Sequence, residues 1–216
     1  MDEYLVPTQD AETEFVEKRS RFIGRIWHTE TEEEALEHIQ QMRRQHYDAT
    51  HNVYAYMIRD GAMRYSDDGE PQGTAGMPVL EVLRREEVYN VCCVVTRYFG
   101  GILLGAGGLV RAYAKSAKLA LDCAGISRKQ VWEHIDLPCP YAMYERMKQV
   151  IAACGAQILD TEYGAEIVLH CIVPHAQKEN LIAKLIDSSA GRLTPICGEP
   201  EYRAFPVEKN GKEGAL

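Results

Sequence analysis

Residues 88–121, VYNVCCVVTRYFGGILLGAGGLVRAYAKSAKLAL, constrain the fold of this chain more than any other stretch. Val88, Val91, Cys92, Cys93, Val94 and Val95 are β-branched or small and apolar, and they predict a buried strand. Glycines follow at 100, 101, 105, 107 and 108, which suits tight turns or close approach. A helical pattern then starts near Leu109. Leu109, Tyr113, Ala117 and Ala120 recur at helical spacing and face inward. Arg111, Lys115 and Lys118 recur at i, i+4, i+7 and share the outward face. Like charges so placed cost about 0.2–0.5 kcal/mol per pair. The stretch contains no Asp or Glu, although the chain has a formal net charge of −8. This strand, glycine loop and helix therefore form the candidate anion-contacting surface, with Arg97 and the loop beside the basic face.

The glycines fit no standard nucleotide fingerprint. No Lys-Ser or Lys-Thr follows GAGG, and Val110 stands where GxGxxG needs its last glycine. Tyr98 and Phe99 end the strand, where an aromatic pair belongs to the core or stacks on bases.

Upstream, residues 3–27 hold two or three short strands. Phe22, Gly24 and Ile26 share one face, and Ile23, Arg25 and Trp27 the other. Lys18, Arg19 and Arg21 make a solvated turn or rim the same basic surface. Thr29 or Thr31 caps a helix with Glu32–Glu34 in its first turn and Arg43, Arg44 and His46 at its end, as the dipole favours. Asp60–Gly61 marks a hairpin turn. Asp67, Asp68 and Glu70 crowd a loop that is either solvated or an alternative Mg²⁺ site. Thr74 caps the helix that follows, and its amino end, with Gly73 and Gly76, is a second candidate anion site. No metal or other cofactor is expected.

Downstream, Gly125 closes the long helix and residues 125–131 act as a linker. The pattern then runs strand, helix, strand, strand, helix, strand to Phe205, the split β-α-β arrangement. Residues 1–125 and 131–206 are the expected domains, with 207–216 a frayed tail. The N-terminus lacks a basic region and apolar core, and no apolar run spans a bilayer, so a cytoplasmic location is expected. Seven cysteines in mostly apolar contexts fit that expectation.

The runs SDDGEPQGTAGMPVLEVL and NVCCVVTRYFGGILLGAGGLVRAYAKSAKLAL resemble the signature of the IMPACT family, in its bacterial YigZ-like two-domain branch. The resemblance implies an α+β protein. Its first domain would be like the second domain of ribosomal protein S5. Its second would be ferredoxin-like (βαββαβ), similar to the last domain of elongation factor G. It implies a non-enzymatic, translation-associated role with structured RNA or the ribosome as partner, and no established reaction. The signature residues are Asp67, Asp68, Glu70, Pro71, Gly73, Thr74, Gly76, Arg97, Gly100, Gly101, Gly105, Gly107, Gly108 and Arg111. The phosphate- or RNA-binding set is Thr74, Gly76, Arg97, Gly105, Gly107, Gly108, Arg111, Lys115 and Lys118. Two alternatives are action on a phosphorylated small molecule or nucleotide, and a protein–protein adaptor working through the C-terminal domain.

Overall fold

The computed structural model describes residues 3–207. The elements are β1 (Tyr4–Pro7), β2 (Ala11–Glu17), β3 (Ser20–His28), α1 (Glu32–Gln45), β4 (His51–Met57), β5 (Met63–Ser66), α2 (Gly76–Arg85), β6 (Val91–Tyr98) and α3 (Ala106–Ala124). They continue with β7 (Ile126–Cys139), α4 (Tyr144–Ala153), β8 (Gln157–Tyr163), β9 (Ile167–Pro174), α5 (Lys178–Ser188), β10 (Ile196–Cys197) and β11 (Glu201–Pro206). The fold is α+β and divides into two units. Among the described residues one holds Tyr4–Arg128 and 204–207, the other Lys129–Arg203. Where a linker is expected at 125–131, the chain runs on as β7, and the division falls inside that strand. Of the expected tail, residues 208–216 lie outside the described residues.

In the first unit five antiparallel strands lie in the order β2-β3-β6-β4-β5. β6 is central, and its residues Val91–Arg97 are all buried because helices cover both faces. Cys93 and Val95 pack with Phe22, Leu83, Leu109 and Tyr113 under α2 and α3. Cys92 and Val94 pack on the other side with Ala35, Ile39 and Met42 of α1. Adjacent strand residues point to opposite faces, so a continuous apolar run is the signature of a strand covered twice. Each fully buried Val or Leu contributes about 1.5–3 kcal/mol. Burial also raises the thiol pKa values of Cys92 and Cys93, the latter to about 12, so both behave as apolar side chains.

Thr31 caps α1, its Oγ accepting from Glu34 N at 3.2 Å, with Glu32–Glu34 in the first turn. α2 departs from expectation. Ala75 is its N-cap and Thr74 donates to Pro71 O at 2.6 Å instead. α3 starts at Ala106, three residues before Leu109. Its four inward residues are all buried, and Gly125 is its C-cap.

In the second unit β7, β9 and β8 are consecutive antiparallel neighbours, with β10 on the other side of β7. This is the β-α-β-β-α-β order. The last strand is broken into β10 and β11 around Gly198–Pro200. Met147, Ile151, Leu181 and Leu185 of α4 and α5 pack on Ile135, Leu137, Leu169 and Cys171.

Candidate functional site

The nine residues of the expected binding set do not come together in one site. At the amino end of α2 an anion already sits, and it belongs to the protein. Asp67 Oδ1 accepts from Ala75 N at 3.1 Å and Gly76 N at 2.8 Å, and Oδ2 accepts from Gly73 N at 2.8 Å. Gly76 is buried, and a Cβ there would lie 2.6 Å from Ser66 O. Thr74 and Gly76 thus belong to a helix end whose Gly73, Ala75 and Gly76 N–H groups Asp67 already occupies.

Arg97 is in the interior, 5% exposed. Its Nη1 donates to Glu70 Oε1 at 2.5 Å and its Nη2 to Ser20 Oγ at 3.3 Å. Tyr113 OH donates to the same Glu70 oxygen at 2.8 Å. Burial, then the Glu70 carboxylate, pushes the Tyr113 pKa far above the usual phenol range, so Tyr113 remains a donor. The guanidinium lies 5.5 Å from the ring centroids of both Phe22 and Phe99.

Lys118 pairs with Glu86 at 2.8 Å and Asp122 at 2.9 Å. These partners, set against desolvation, leave its pKa raised. It lies outside the groove that its neighbours form.

Of the other five, Gly107 lies in the first turn of α3 with Arg111 as its neighbour, and Arg111, Lys115 and Gly108 line one groove of about 250 Å³ with Lys18, Glu17, Phe15 and Leu104. Lys115 Nζ is 4.5 Å from the Phe15 ring centroid, a cation–π contact. Lys18 enters through the β2–β3 turn, where Lys18 (φ 46°) and Arg19 (φ 68°) both have positive φ, the conformation of a tight two-residue hairpin. Arg21 is held by Glu14 at 2.7 Å and is not part of the groove. No ion pair engages Lys18, Arg111 or Lys115 among the described residues.

Gly105 lines a second cavity, of about 370 Å³, with Ala106, Leu109, Leu103, Phe99, Pro71, Thr50, His51, Glu70 and Arg97. Leu104 borders both spaces. Phe99 is 45% exposed, so it is not the core residue that its place after a buried strand suggests. Gly100 is required here, since a Cβ would lie 2.0 Å from the Arg19 carbonyl carbon. His51 Nδ1 bonds Asp68 O at 2.7 Å, and its Nε2 is 3.7 Å from Glu70 Oε1. Sequence reasoning missed His51, Phe15 and the leucines, because only strand register and loop path bring them to α3.

The alternative metal set is dispersed. Asp67 caps α2, Glu70 pairs with Arg97, and Asp68 accepts from Arg43 at 3.0 Å and Asn52 N at 2.6 Å. Among the described residues no group of three His, Cys, Asp or Glu side chains meets as a metal site. No described helix is long and apolar enough to cross a membrane.

The fold and groove define a two-unit α+β protein with a cationic groove on its N-terminal unit. Its residues 18–121 match the Impact N-terminal domain, and residues 137–192 match a domain of unknown function, DUF1949. The chain is 38% identical over 201 residues to the IMPACT family member YvyE of Bacillus subtilis, covering 92% of this chain and 93% of that one. It is 36% identical to the IMPACT family member YigZ of Escherichia coli, covering 92% of this chain and all of that one. The IMPACT homolog of Dictyostelium discoideum is 36% identical over 106 residues, only 30% of its own length. A solved crystal structure of a hypothetical protein superposes with a TM-score of 0.58 at 35% identity, over 92% of this chain and 98% of that one. The chain therefore belongs to the IMPACT family, in its YigZ-like branch.

Proposed function

We propose that this protein binds structured RNA, on or off the ribosome, in a non-enzymatic and translation-associated role in the cytoplasm. The observation that carries this reading is the groove. Lys18 from a hairpin turn and Arg111 and Lys115 from α3 line one concave space without ion-pair partners, beside the half-buried Phe15 ring. One acid, Glu17, lines the same space, so the local balance is cationic in an acidic chain. Lys and Arg contacts to phosphates position a partner without reading its sequence. A first unit like the second domain of ribosomal protein S5, and a ferredoxin-like second unit like the last domain of elongation factor G, accord with this role. The C-terminal unit exposes Tyr141, Leu159, Tyr163 and Ile196, which favours a protein partner there as a second reading.

The test is binding of a structured ribosomal RNA fragment and of intact ribosomes at low salt. The triple variant Lys18→Ala/Arg111→Ala/Lys115→Ala is expected to weaken binding by about tenfold or more, since each lost phosphate contact removes released counterions. Lys118→Ala is expected to bind like the wild type. No RNA or ribosome affinity at low salt, or a triple variant that binds normally, would sink the reading. Co-purification of the full chain with a protein that survives ribonuclease treatment would favour the second.

A further inference from the structure

The cavity at the amino end of α3 has chemistry that the groove reading does not use. Its volume of about 370 Å³ lies within the usual small-molecule range of about 300–1,000 Å³. Phe99, Leu103 and Leu109 give it an apolar wall. Arg97, 5% exposed, also lines it, and its Nε has no hydrogen-bond partner. Glu70 does not make the cavity anionic, because Arg97 neutralises it.

The end of α3 reaches this cavity through Gly105, Ala106 and Leu109, while Gly108 and Arg111 face the adjoining groove, and it is open, unlike the other two helices of the unit. Thr31 and three glutamates serve α1, and Asp67 serves α2. α3 has Gly105 as N-cap (φ 73°), with no side-chain cap bond and no acid in its first turn. Its helical bonds start with Leu109 N donating to Gly105 O at 2.9 Å, so the N–H groups of Ala106, Gly107 and Gly108 precede the ladder. Nineteen residues of aligned peptide dipoles end there. Arg111 reaches over that turn: a Cβ built on Gly107 would have only Arg111 Nη1 within 4 Å, at 3.6 Å. His51 adds a fixed ring: the Asp68 carbonyl can only accept, so Nδ1 donates to it, and Nε2 is held 3.7 Å from Glu70 Oε1 at the cavity wall.

We propose that this cavity binds a phosphomonoester on a planar heterocyclic body, that is, a nucleoside monophosphate, either free or as the 5′ end of an RNA. The phosphate sits at the cavity's rim on the first turn of α3, where it takes the N–H groups of Ala106–Gly108 and is met by Arg111 from the adjoining groove. Three donors in one turn plus a guanidinium suit a tetrahedral dianion. The ring lies against Phe99, with the His51 edge beside the sugar or base. The cavity reading does not depend on RNA occupying the groove.

The test is amide chemical-shift titration of the isotope-labelled full chain. The probes are AMP, UMP, adenosine and inorganic phosphate, and a short oligoribonucleotide with a 5′-phosphate or a 5′-hydroxyl. AMP or UMP is expected to shift Ala106–Gly108 and to bind about tenfold or more tightly than adenosine or phosphate alone. Shifts from the 5′-phosphorylated oligonucleotide alone would support the site with an RNA end as its source. Ala106→Asp supplies a carboxylate that suits the first helical turn and competes with the phosphate, so it should weaken binding by about tenfold. Should it lower the melting temperature, Phe99→Ala makes the same comparison from the ring side. Lys18→Ala/Lys115→Ala should keep nucleotide binding, which separates failure of the groove from failure of the cavity. The proposal is overturned if no mononucleotide or 5′-phosphorylated end shifts these amides. It is also overturned if phosphate alone binds as well as AMP, or if neither variant weakens binding.

Discussion

Glu70 is the residue whose role differs most from its appearance. In the sequence it follows Asp67, Asp68 and Gly69 in a short polar loop, the pattern of a solvated or metal-binding turn. In the fold its carboxylate is buried and holds both Arg97 and Tyr113. Removing one member of a buried pair leaves an uncompensated charge, at a cost of about 3–5 kcal/mol, whereas an exposed pair is worth about 0–1 kcal/mol. Glu70→Ala should therefore shift the urea midpoint far more than Lys118→Ala, and equal shifts would contradict the buried network. That network was illegible because its members lie 27 and 43 positions apart, joined only when β6 and α3 pack together. His170 carries a pH prediction in the C-terminal unit. Its Nδ1 bonds Asp136 at 2.7 Å, and that bond raises its pKa despite some desolvation. A raised folded pKa means stability fully present below the ordinary histidine value, about 6.5, and lost as pH rises through the raised one. Stability measured across neutral to mildly alkaline pH should therefore decline, and Asp136→Asn should flatten that decline. An unchanged slope in Asp136→Asn would remove His170 as its source.

At the scale of elements, β6, α1, α4 and α5 were legible because their apolar pattern agrees with their packing, and in α1 the cap agrees as well. Thr31 and the three glutamates of α1 are an example, and the double-sided apolar run of β6 is another. The amino end of α2 was not legible. A glycine-flanked helix start reads as an open anion site, and nothing local shows that Asp67, nine residues before Gly76, folds back to fill it. The groove was half legible: the spacing of Arg111 and Lys115 places them on one face, but Lys18 joins only through the β2–β3 hairpin. Two glycines on these elements have opposite requirements. A Cβ at Gly24 of β3 would lie 2.7 Å from Ser116 O of α3, so helix and strand meet at backbone distance. Gly24→Ala should cost about 1–3 kcal/mol by overpacking. Gly107 lies in the first turn of α3, where a Cβ meets only Arg111 at an ordinary 3.6 Å. Gly107→Ala should be neutral or stabilising by about 0.4–1 kcal/mol through loss of unfolded-state freedom. Thermal unfolding of the two variants separates them, and equal losses would mean that α3 does not approach β3 this closely.

For the molecule as a whole, net charge and local charge point in opposite directions, and salt dependence shows which governs binding. A chain of net charge −8 repels a polyanion at long range, and only a local cluster can reverse this at contact. Composition therefore argues against bulk coating by nucleic acid but not against a local basic face, for which residues 88–121 are the candidate. The fold sharpened the conflict by removing Lys118 and Arg97 from the free cations and adding Lys18. Three cations in one groove can neutralise about three phosphates. The logarithm of the binding constant should then fall against the logarithm of salt with a slope near −2 to −3, at about 0.7–0.9 per phosphate. Fluorescence anisotropy of a labelled RNA hairpin over a salt series measures that slope. The triple groove variant should bring it close to zero, and Lys118→Ala should leave it unchanged. A much steeper slope that survives the triple variant would mean that another surface carries the contact, and the groove reading would fall with it. A shallow slope in the wild type would mean that affinity comes from stacking or shape, and would move the weight to the exposed Phe99 beside the end of α3.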